Sequence, residues 1–264
     1  MTNQRIPSAR VLAALVLLLA GLLAAQASYV ITSDNRRIEG TTIRATADGS
    51  IVLTTVRGDV TFSPGQFREA MADEPAEWKQ AQSLVAAKKY DEAITLLQDV
   101  ARRYRLLGWD VQAQRLLGRA QALKGDYPAA VTSYETLFRN NAASRSDPET
   151  LWSYRQILLE AKQFDKLSAM LNEVVAKGAR PDAARAQTMR GDIKLVQNQV
   201  EGAAMDYLRT VVLFASERAQ QPEALFKAGD ALEKLRDPRA KQMFQKLVNE
   251  FPSSPEAQQA RGRM

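Results

Sequence analysis

The chain has 264 residues, of which 45% are hydrophobic and 25% are charged, and its formal net charge is +6. This is ordinary globular usage, and it excludes a disordered chain or a membrane protein with many spans. Cysteine and histidine are both absent, which excludes thiolate nucleophiles, imidazole bases, disulfides and Cys or His metal sites. Aromatic residues make up only 7%, which favours helices packed through small side chains over a large β-sandwich core.

Carboxylate chemistry remains open after these exclusions. A calcium or magnesium site, or a pair of catalytic carboxylates, needs neither cysteine nor histidine. The sequence shows no phosphate-binding glycine-rich loop, no nucleophile elbow and no acidic loop with metal-ligand spacing. We therefore predict no catalytic residue, no cofactor and no metal, and the alternative is a glycan-acting or metal-dependent enzyme.

The first 27 residues have the pattern of a secretion signal. Arg5 and Arg10 supply a positive start, residues 11–25 form a nearly continuous apolar run, and a small-x-small motif ends at Ala27. We predict cleavage after Ala27 and export to the periplasm or out of the cell. The apolar run is about 15 residues, against the roughly 20 that span a bilayer. An uncleaved anchor is the alternative, and it would make the protein a membrane-anchored structural adaptor.

The charge of the mature chain is only mildly basic. Removal of residues 1–27 takes away Arg5 and Arg10 and no acidic residue, so the net charge becomes +6 − 2 = +4. Basic and acidic side chains are interspersed along the rest of the chain, so we predict no nucleic-acid partner. Contact with a membrane is expected only if the N-terminal segment is retained.

Residues 28–72 are predicted to form a small β module, because the hydrophobic period there changes to two. The dipeptide Asp48-Gly49 tolerates the positive φ that a tight hairpin turn needs. We predict a three- or four-stranded antiparallel meander that ends at Pro64, followed by a hinge at residues 71–75. About 40 residues bury little core alone, so the module either closes into a barrel or leans on the first helices.

The stretches 32–40, 49–54 and 58–62 resemble small SH3-like or Sm-like modules of bacterial envelope proteins. This resemblance implies an adaptor surface or a dimerising edge. A homo-oligomer formed through the β module is therefore one expected arrangement.

From Pro75 onward the pattern is helical and it repeats. A turn and a large apolar residue are followed three positions later by a small or apolar residue, which falls at positions 93, 130, 167, 203 and 240. The spacing between these positions is 37, 37, 36 and 37 residues. Gly118, Gly191 and Gly229 stand at equivalent places of their repeats, and Arg155 occupies that place in the third repeat.

This pattern resembles the tetratricopeptide repeat. The resemblance implies a mainly α fold, in which residues 75–264 form an α-solenoid of about five helix pairs with a C-terminal capping helix. It also implies that the first helix of each pair lines a concave groove that binds a protein or peptide partner. Eight residues fall on that inner face by family alignment: Gln112, Arg115, Arg119, Trp152, Gln156, Arg185, Thr188 and Asp192.

Two of these groove residues have a specific predicted role. Arg115 and Arg119 are four residues apart on one helix, so they project from one side and are able to clamp a carboxylate or an extended acidic peptide. The alternative is that both arginines are only solvated. Trp152 is either a groove anchor, as tryptophan often is at interfaces, or a residue that fills a gap between repeats. From the resemblance we predict a non-catalytic interaction scaffold.

The C-terminal segment also contains a recognisable stretch. Phe251, Pro252 and Ser254 resemble the Phe-Pro-x-Ser-x-x-Ala motif that closes repeats in bacterial envelope proteins, which implies an envelope setting and the hypothesis of a role in envelope biogenesis. Ser254 is expected to cap a short helix over residues 256–261, with Pro255 at its first position.

Overall fold

The computed structural model describes residues 28–264, so the predicted signal segment lies outside the described residues. The described residues divide into two compact units, residues 28–151 and residues 152–264. Within residues 28–264, no helix combines the length and apolar character needed to cross a membrane. The strands are β1 Ser28–Thr32, β2 Arg37–Gly40, β3 Thr42–Ala45, β4 Ile51–Thr55, β5 Gly58–Phe62 and β6 Phe67–Met71.

Eleven α-helices follow the strands in the described chain. They are α1 Ala76–Ala86, α2 Tyr90–Arg103, α3 Trp109–Lys124, α4 Tyr127–Asn140, α5 Pro148–Glu160, α6 Phe164–Lys177, α7 Arg180–Val196, α8 Val200–Leu213, α9 Gln221–Lys234, α10 Arg239–Glu250 and α11 Pro255–Ala260. The first ten form five consecutive helix pairs, and α11 follows the last pair. The predicted fold class, a tetratricopeptide-like array of helix pairs after a small antiparallel β module, is confirmed.

The β module consists of two three-stranded antiparallel sheets, with strand orders β2-β1-β6 and β3-β4-β5. In the first sheet Val30 is aligned with Ile38 and Ala70. In the second, Leu53 is aligned with Ile43 and Val60. The alignments place these central strands between two partners each, so their apolar side chains form the middle of the module.

The prediction of a single three- or four-stranded meander was wrong in two respects. The run of residues 37–45 divides into two strands at Thr41, and a Cβ on the preceding Gly40 would lie 2.4 Å from the carbonyl oxygen of Thr54. Only a glycine allows that close approach of two backbones. The second difference is β6, which returns to pair with β1 and follows the predicted end of the sheet.

The module leans on the first helices, which was one of the two predicted arrangements. Its core of buried strand residues is completed by Leu107, from the loop between α2 and α3, which is only 2% exposed. The Ala72 N–H donates to the carbonyl oxygen of Leu107 at 3.1 Å. The indole Nε1 of Trp109 donates to the carbonyl oxygen of Ala72 at 2.8 Å. Trp109 therefore packs on the β module.

The turn inside each helix pair uses the same backbone device. One residue in each turn has a positive φ: Lys88 at 60°, Gly125 at 90°, Lys162 at 56°, Asn198 at 60° and Arg236 at 56°. Only one of the five is glycine, although the left-handed region normally favours it. The recurrence of this conformation at repeat spacing shows that the five pairs share one local geometry.

Small residues allow the two helices of a pair to approach closely in three of the five pairs. A Cβ added to the glycine of the first helix would fall within 3 Å of an aromatic ring on the second helix, so the glycine and the ring are complementary in shape. The pairs are Gly118 with Tyr134, Gly191 with Tyr207 and Gly229 with Phe244, at 2.6, 2.4 and 2.5 Å.

The last helix, α11, is capped by the residue that the sequence predicted. The Ser254 hydroxyl accepts a hydrogen bond from the Ala257 N–H at 3.0 Å, and Pro255 is the first residue of α11. This is an N-cap of the ordinary kind. The helix runs over Pro255–Ala260, one residue earlier than predicted, and Ala257 and Ala260 pack into the core of the last pair.

Candidate functional site

The first group of predicted groove residues lies on α3, in the unit of residues 28–151. Gln112 and Arg119 are exposed, and the described part of the chain offers Arg119 no ion pair. Arg115 differs, because its side chain is 30% exposed and lies 3.7 Å from an Asp147 carboxylate oxygen and 3.4 Å from Glu149. The two arginines therefore share one helix but only Arg115 has partners within the unit.

The ion pairs of Arg115 are long and partly exposed. Asp147 also accepts the Thr150 N–H at 2.9 Å and caps the start of α5. Hydrogen bonds from the Thr150 side chain and backbone hold the pKa of Asp147 below its usual value. Glu149 is 83% exposed, and ion pairs of this kind contribute about 0–1 kcal/mol.

The second group lies in the unit of residues 152–264, where four of the five predicted residues line one cavity. The cavity has a volume of about 250 Å³ and is formed by α5, α7 and α9. The predicted residues among its walls are Gln156, Arg185, Thr188 and Asp192. The structure thus brings together residues that sequence reasoning had only placed on a common face.

Sequence reasoning missed the two charged residues that α9 contributes to this cavity, Glu223 and Lys227, as well as the apolar Leu159 and Met189. Glu223 stands six residues before Gly229, as Arg185 stands six residues before Gly191. Extending the register of the fourth pair to the fifth would have found it. Lys227 follows Glu223 at the i,i+4 spacing that brings the two side chains together.

A charged network fills one side of the cavity. Lys227 Nζ lies 2.9 Å from an Asp192 carboxylate oxygen and 2.6 Å from Glu223 Oε1. The Tyr207 hydroxyl donates to the other oxygen of Asp192 at 2.8 Å. Burial would lower the pKa of Lys227, but the two carboxylates outweigh it and raise that pKa. Burial and the Asp192 charge raise the pKa of Tyr207.

The cavity contains two carboxylates, Asp192 and Glu223. Glycoside hydrolases use a pair of carboxyl groups in one cavity for catalysis. Here the Lys227 ammonium contacts both Asp192 and Glu223. It occupies the space that a substrate oxygen or a water would need between them. Among residues 28–264, no group of three or more acidic side chains is placed to hold a metal ion. The geometry favours a structural charge network over a catalytic pair.

Thr188 lines the cavity but has little exposed surface. It is 3% exposed. Its hydroxyl lies 3.2 Å from the carbonyl oxygen of Ala184 and 3.1 Å from the Thr210 hydroxyl. It shapes the wall of the cavity without presenting a free hydroxyl. Gln156, by contrast, is exposed and its amide donates to Glu160 at 3.0 Å.

Trp152 is the one predicted residue of this unit that lies outside the cavity wall. It is 6% exposed, and its Nε1 donates to Asp182 at 3.1 Å. The guanidinium groups of Arg155 and Arg185 lie 4.4 and 4.2 Å from its ring centroid. Trp152 therefore serves as a platform for two arginines within the unit.

Comparison with known proteins identifies the repeats. Family models described as tetratricopeptide repeat match residues 79–148 and residues 223–254. The two matched stretches lie at the two ends of the helical array. No curated protein matches the sequence significantly.

Solved structures show the same fold. A crystal structure of nearly identical TPR-like repeats from Podosopora anserina is 18% identical, with a TM-score of 0.51, and the match covers 67% of this chain and 96% of that one. A second crystal structure of those repeats gives 18% identity, a TM-score of 0.52, and coverage of 68% and 96%. MamA from Desulfovibrio magneticus RS-1 is 22% identical, with a TM-score of 0.49 and coverage of 68% and 95%.

Proposed function

We propose that this protein is a non-catalytic, exported interaction scaffold that binds a partner protein or peptide on the inner face of its first helices. The observation that supports the proposal most directly is the meeting of Gln156, Arg185, Thr188 and Asp192 around one polar cavity. A tetratricopeptide fold is in general an interaction module, and its stacked pairs present extended binding surfaces.

The dimensions of the cavity agree with this kind of ligand. Its volume of about 250 Å³ lies below the roughly 300–1,000 Å³ of typical small-molecule pockets. It suits one or two side chains of a longer peptide. Arg119, exposed on α3, provides a separate basic contact in the other unit.

Export and an envelope setting belong to the proposal and rest on the sequence of residues 1–27. The alternative is an anchored adaptor that retains that segment. The two are distinguished by N-terminal sequencing of the protein from fractionated cells, since a chain that starts at Ser28 supports export and an intact Met1 in the membrane fraction supports the anchor.

A homo-oligomer through the β module is a further part of the proposal. Strand β5 is an edge strand that is exposed over most of its length, and Val56 in the turn before it is 96% exposed. Such an edge is a template for pairing with another strand.

Because Thr55 and Gly58 close the hairpin, the alternating ladder directs the Thr61 N–H away from β4, toward the free edge where a second strand would pair. Thr61→Pro is therefore expected to lower the mass measured in solution to that of a monomer, and an unchanged mass would contradict this part of the proposal.

The binding surface is tested by site-specific photo-crosslinking in living cells. A photoreactive residue at Gln156, which is exposed and lines the cavity, is expected to give a discrete adduct with one partner protein. The matched control is the same residue at Glu201, which is exposed on α8 outside the cavity. Equal adducts at both positions, or none at Gln156, would contradict the proposal.

The contribution of α3 is tested by charge reversal. The double change Arg115→Glu and Arg119→Glu is expected to reduce recovery of the cross-linked partner by about tenfold or more, because lost charge-assisted hydrogen bonds weaken binding. Lys241→Glu, on an exposed face of α10, is the charge-matched control. Unchanged recovery with the double variant would remove α3 from the binding surface.

A further inference from the structure

A different cavity lies in the unit of residues 28–151, between strand β6, the loop before α3, and the helices α3 and α4. Its volume is about 290 Å³, close to the lower limit of the roughly 300–1,000 Å³ of small-molecule pockets. None of the eight predicted groove residues lines it. The cavity is therefore separate from the surface to which the scaffold function is assigned.

The charges in the wall of this cavity cancel. Two positive charges come from Arg68 and Arg105, and two negative charges come from Glu69 and Asp110, so the sum is +2 − 2 = 0. Glu69 accepts a hydrogen bond from the Tyr29 hydroxyl at 2.6 Å, and Asp110 accepts one from a backbone N–H of the loop before α3 at 3.0 Å. A wall with no net charge gives neither an anion nor a cation an electrostatic advantage. The cavity thus favours an uncharged ligand.

Three side-chain amides also line the cavity, and each has hydrogen-bonding capacity left over. Gln114 donates to the carbonyl oxygen of Ser133 at 3.2 Å, and Asn141 accepts from the Ser144 N–H at 2.9 Å. Within residues 28–264 the oxygen of Gln114, the NH2 of Asn141 and the whole amide of Asn140 have no partner. An amide offers a donor and an acceptor side by side. This arrangement suits a hydroxyl group, which both donates and accepts.

The cavity adjoins a longer groove with walls of similar chemistry. It shares Ala101 and Gln114 with this groove, which lies between α2, α3 and α4 and has a volume of about 620 Å³. The polar uncharged residues of the groove, besides Gln114, are Gln98, Gln121, Thr132, Ser133 and Thr136. One charged residue, Arg102, also lines it and is paired with Asp99 at 2.6 Å. Cavity and groove together form a surface of amides and hydroxyls that suits a chain of similar polar units.

We infer that this cavity and the adjoining groove bind an uncharged oligosaccharide, with one sugar unit in the cavity and its neighbours along the groove. The inference goes beyond the proposed function, because it concerns a different cavity and a ligand that is not a protein. A sugar ring has hydroxyls around its rim and C–H groups on its faces. The three amides match the hydroxyls, and the half-buried Phe67 and Val111 in the cavity wall offer apolar contact to a ring face.

The groove fits a sugar chain better than a peptide. A peptide backbone also carries donors and acceptors, but most peptides add apolar side chains. Those side chains would cover the amides and hydroxyls of the groove without replacing their hydrogen bonds to water, which is costly. Every unit of a sugar chain brings hydroxyls that restore such bonds.

The test is isothermal titration calorimetry of the full-length chain with defined probes. The probes are cellotetraose, chitotetraose, their disaccharides, tetragalacturonate and a blocked nonapeptide of glycine and serine. We expect cellotetraose or chitotetraose to bind, and the tighter one identifies a hydroxyl or an acetamido group as the recognised substituent. Tetragalacturonate is expected to bind more weakly, because its carboxylates would lose water against a wall of zero net charge. The peptide is expected not to bind.

Variants separate the cavity from the groove. Asn140→Ala removes an exposed side chain that has no partner in the described chain, and is expected to weaken disaccharide and tetrasaccharide binding about two- to tenfold, as loss of a neutral hydrogen bond does. Gln98→Ala, in the groove only, is expected to weaken binding of the tetrasaccharide but not of the disaccharide. Gln242→Ala, on an exposed face of α10, is the matched control and should change neither.

Several results would overturn the assignment. They are no binding of either tetrasaccharide, binding of the peptide or of tetragalacturonate at least as tight, unchanged affinity in Asn140→Ala, and release of shorter sugars during the titration. Unchanged tetrasaccharide affinity in Gln98→Ala would remove the groove from the site. Cross-linking at Gln156 reports on the other unit, so failure of the sugar site and failure of the scaffold function are seen in separate experiments.

Discussion

Replacing Asp206 with asparagine is expected to lower the free energy of unfolding by about 3 kcal/mol, the lower end of the range for breaking a buried ion pair. Asp206 is fully buried, and its carboxylate lies 2.6 Å from Lys194 Nζ and 2.6 Å from an Arg209 guanidinium nitrogen. It also accepts a hydrogen bond from Gln187 at 2.9 Å. The side chains of Lys194 and Arg209 are 30% and 46% exposed, so water partly solvates their charges once the carboxylate is removed. The expected loss therefore lies at the lower end of the range.

The effect of this variant should depend on pH in a defined direction. Burial would raise the pKa of Asp206, but its interactions with Lys194 and Arg209 outweigh burial and hold that pKa below its usual value. The stabilisation is therefore present above the unfolded-state pKa of about 3.9 and is lost as the pH falls through the lower folded-state pKa. The difference between the wild type and Asp206→Asn should narrow below about pH 4.

Urea unfolding at pH 7 and at a series of lower pH values measures this. The matched control is Glu173→Gln, since Glu173 is paired with Lys177 at 3.8 Å and both side chains are more than 70% exposed. Such a pair contributes about 0–1 kcal/mol. Equal losses in the two variants at pH 7 would show that the network around Asp206 is not a buried ion pair in solution.

The second large effect is expected from Gly191→Ala. A Cβ on Gly191 would lie 2.4 Å from the ring of Tyr207, which is fully buried and is hydrogen-bonded to Asp192. Because the ring is fixed at both its face and its hydroxyl, it cannot move aside. Overpacking of this kind costs about 1–3 kcal/mol, which exceeds the gain of roughly 1 kcal/mol that alanine brings to a helix.

Gly202→Ala is the internal control for this prediction. Gly202 is also a helical glycine of the same unit, but its added Cβ would meet only the flexible chain of Lys194, at 3.0 Å. Here the helix propensity of alanine is expected to dominate and to raise the free energy of unfolding by up to about 1 kcal/mol. Thermal and urea unfolding of both variants give the comparison. Stabilisation by both changes would mean that the helices of the fourth pair do not touch at Gly191.

The repeat was predictable because its constraint is local and recurrent. Each pair needs a small or apolar residue at a fixed place, and Ala93, Ala130, Leu167, Ala203 and Ala240 are all buried. A period of about 37 residues is visible in one sequence without any knowledge of the contacts. Aligning the repeats also assigned Gln156, Arg185, Thr188 and Asp192 to one face, and these four residues line one cavity.

The structural features that the sequence did not predict depend on contacts between residues far apart in the chain. Strand β6 contains Arg68, Glu69 and Ala70, which have low strand propensity, and it forms because β1 offers it an edge. The ion pair of Lys227 with Asp192 joins two different helix pairs. Such features follow from the tertiary arrangement and leave no periodic signal.

The turns inside the helix pairs have a consequence for how the array holds together. Lys88, Lys162 and Arg236 adopt a left-handed backbone conformation that costs an ordinary residue roughly 1–2 kcal/mol. Such a turn has little intrinsic tendency to reverse the chain, so the packed helices on either side must impose it. A single helix pair excised from this protein would therefore lose its sharp reversal, because the reversal belongs to the cooperative array and not to the few residues that make the bend.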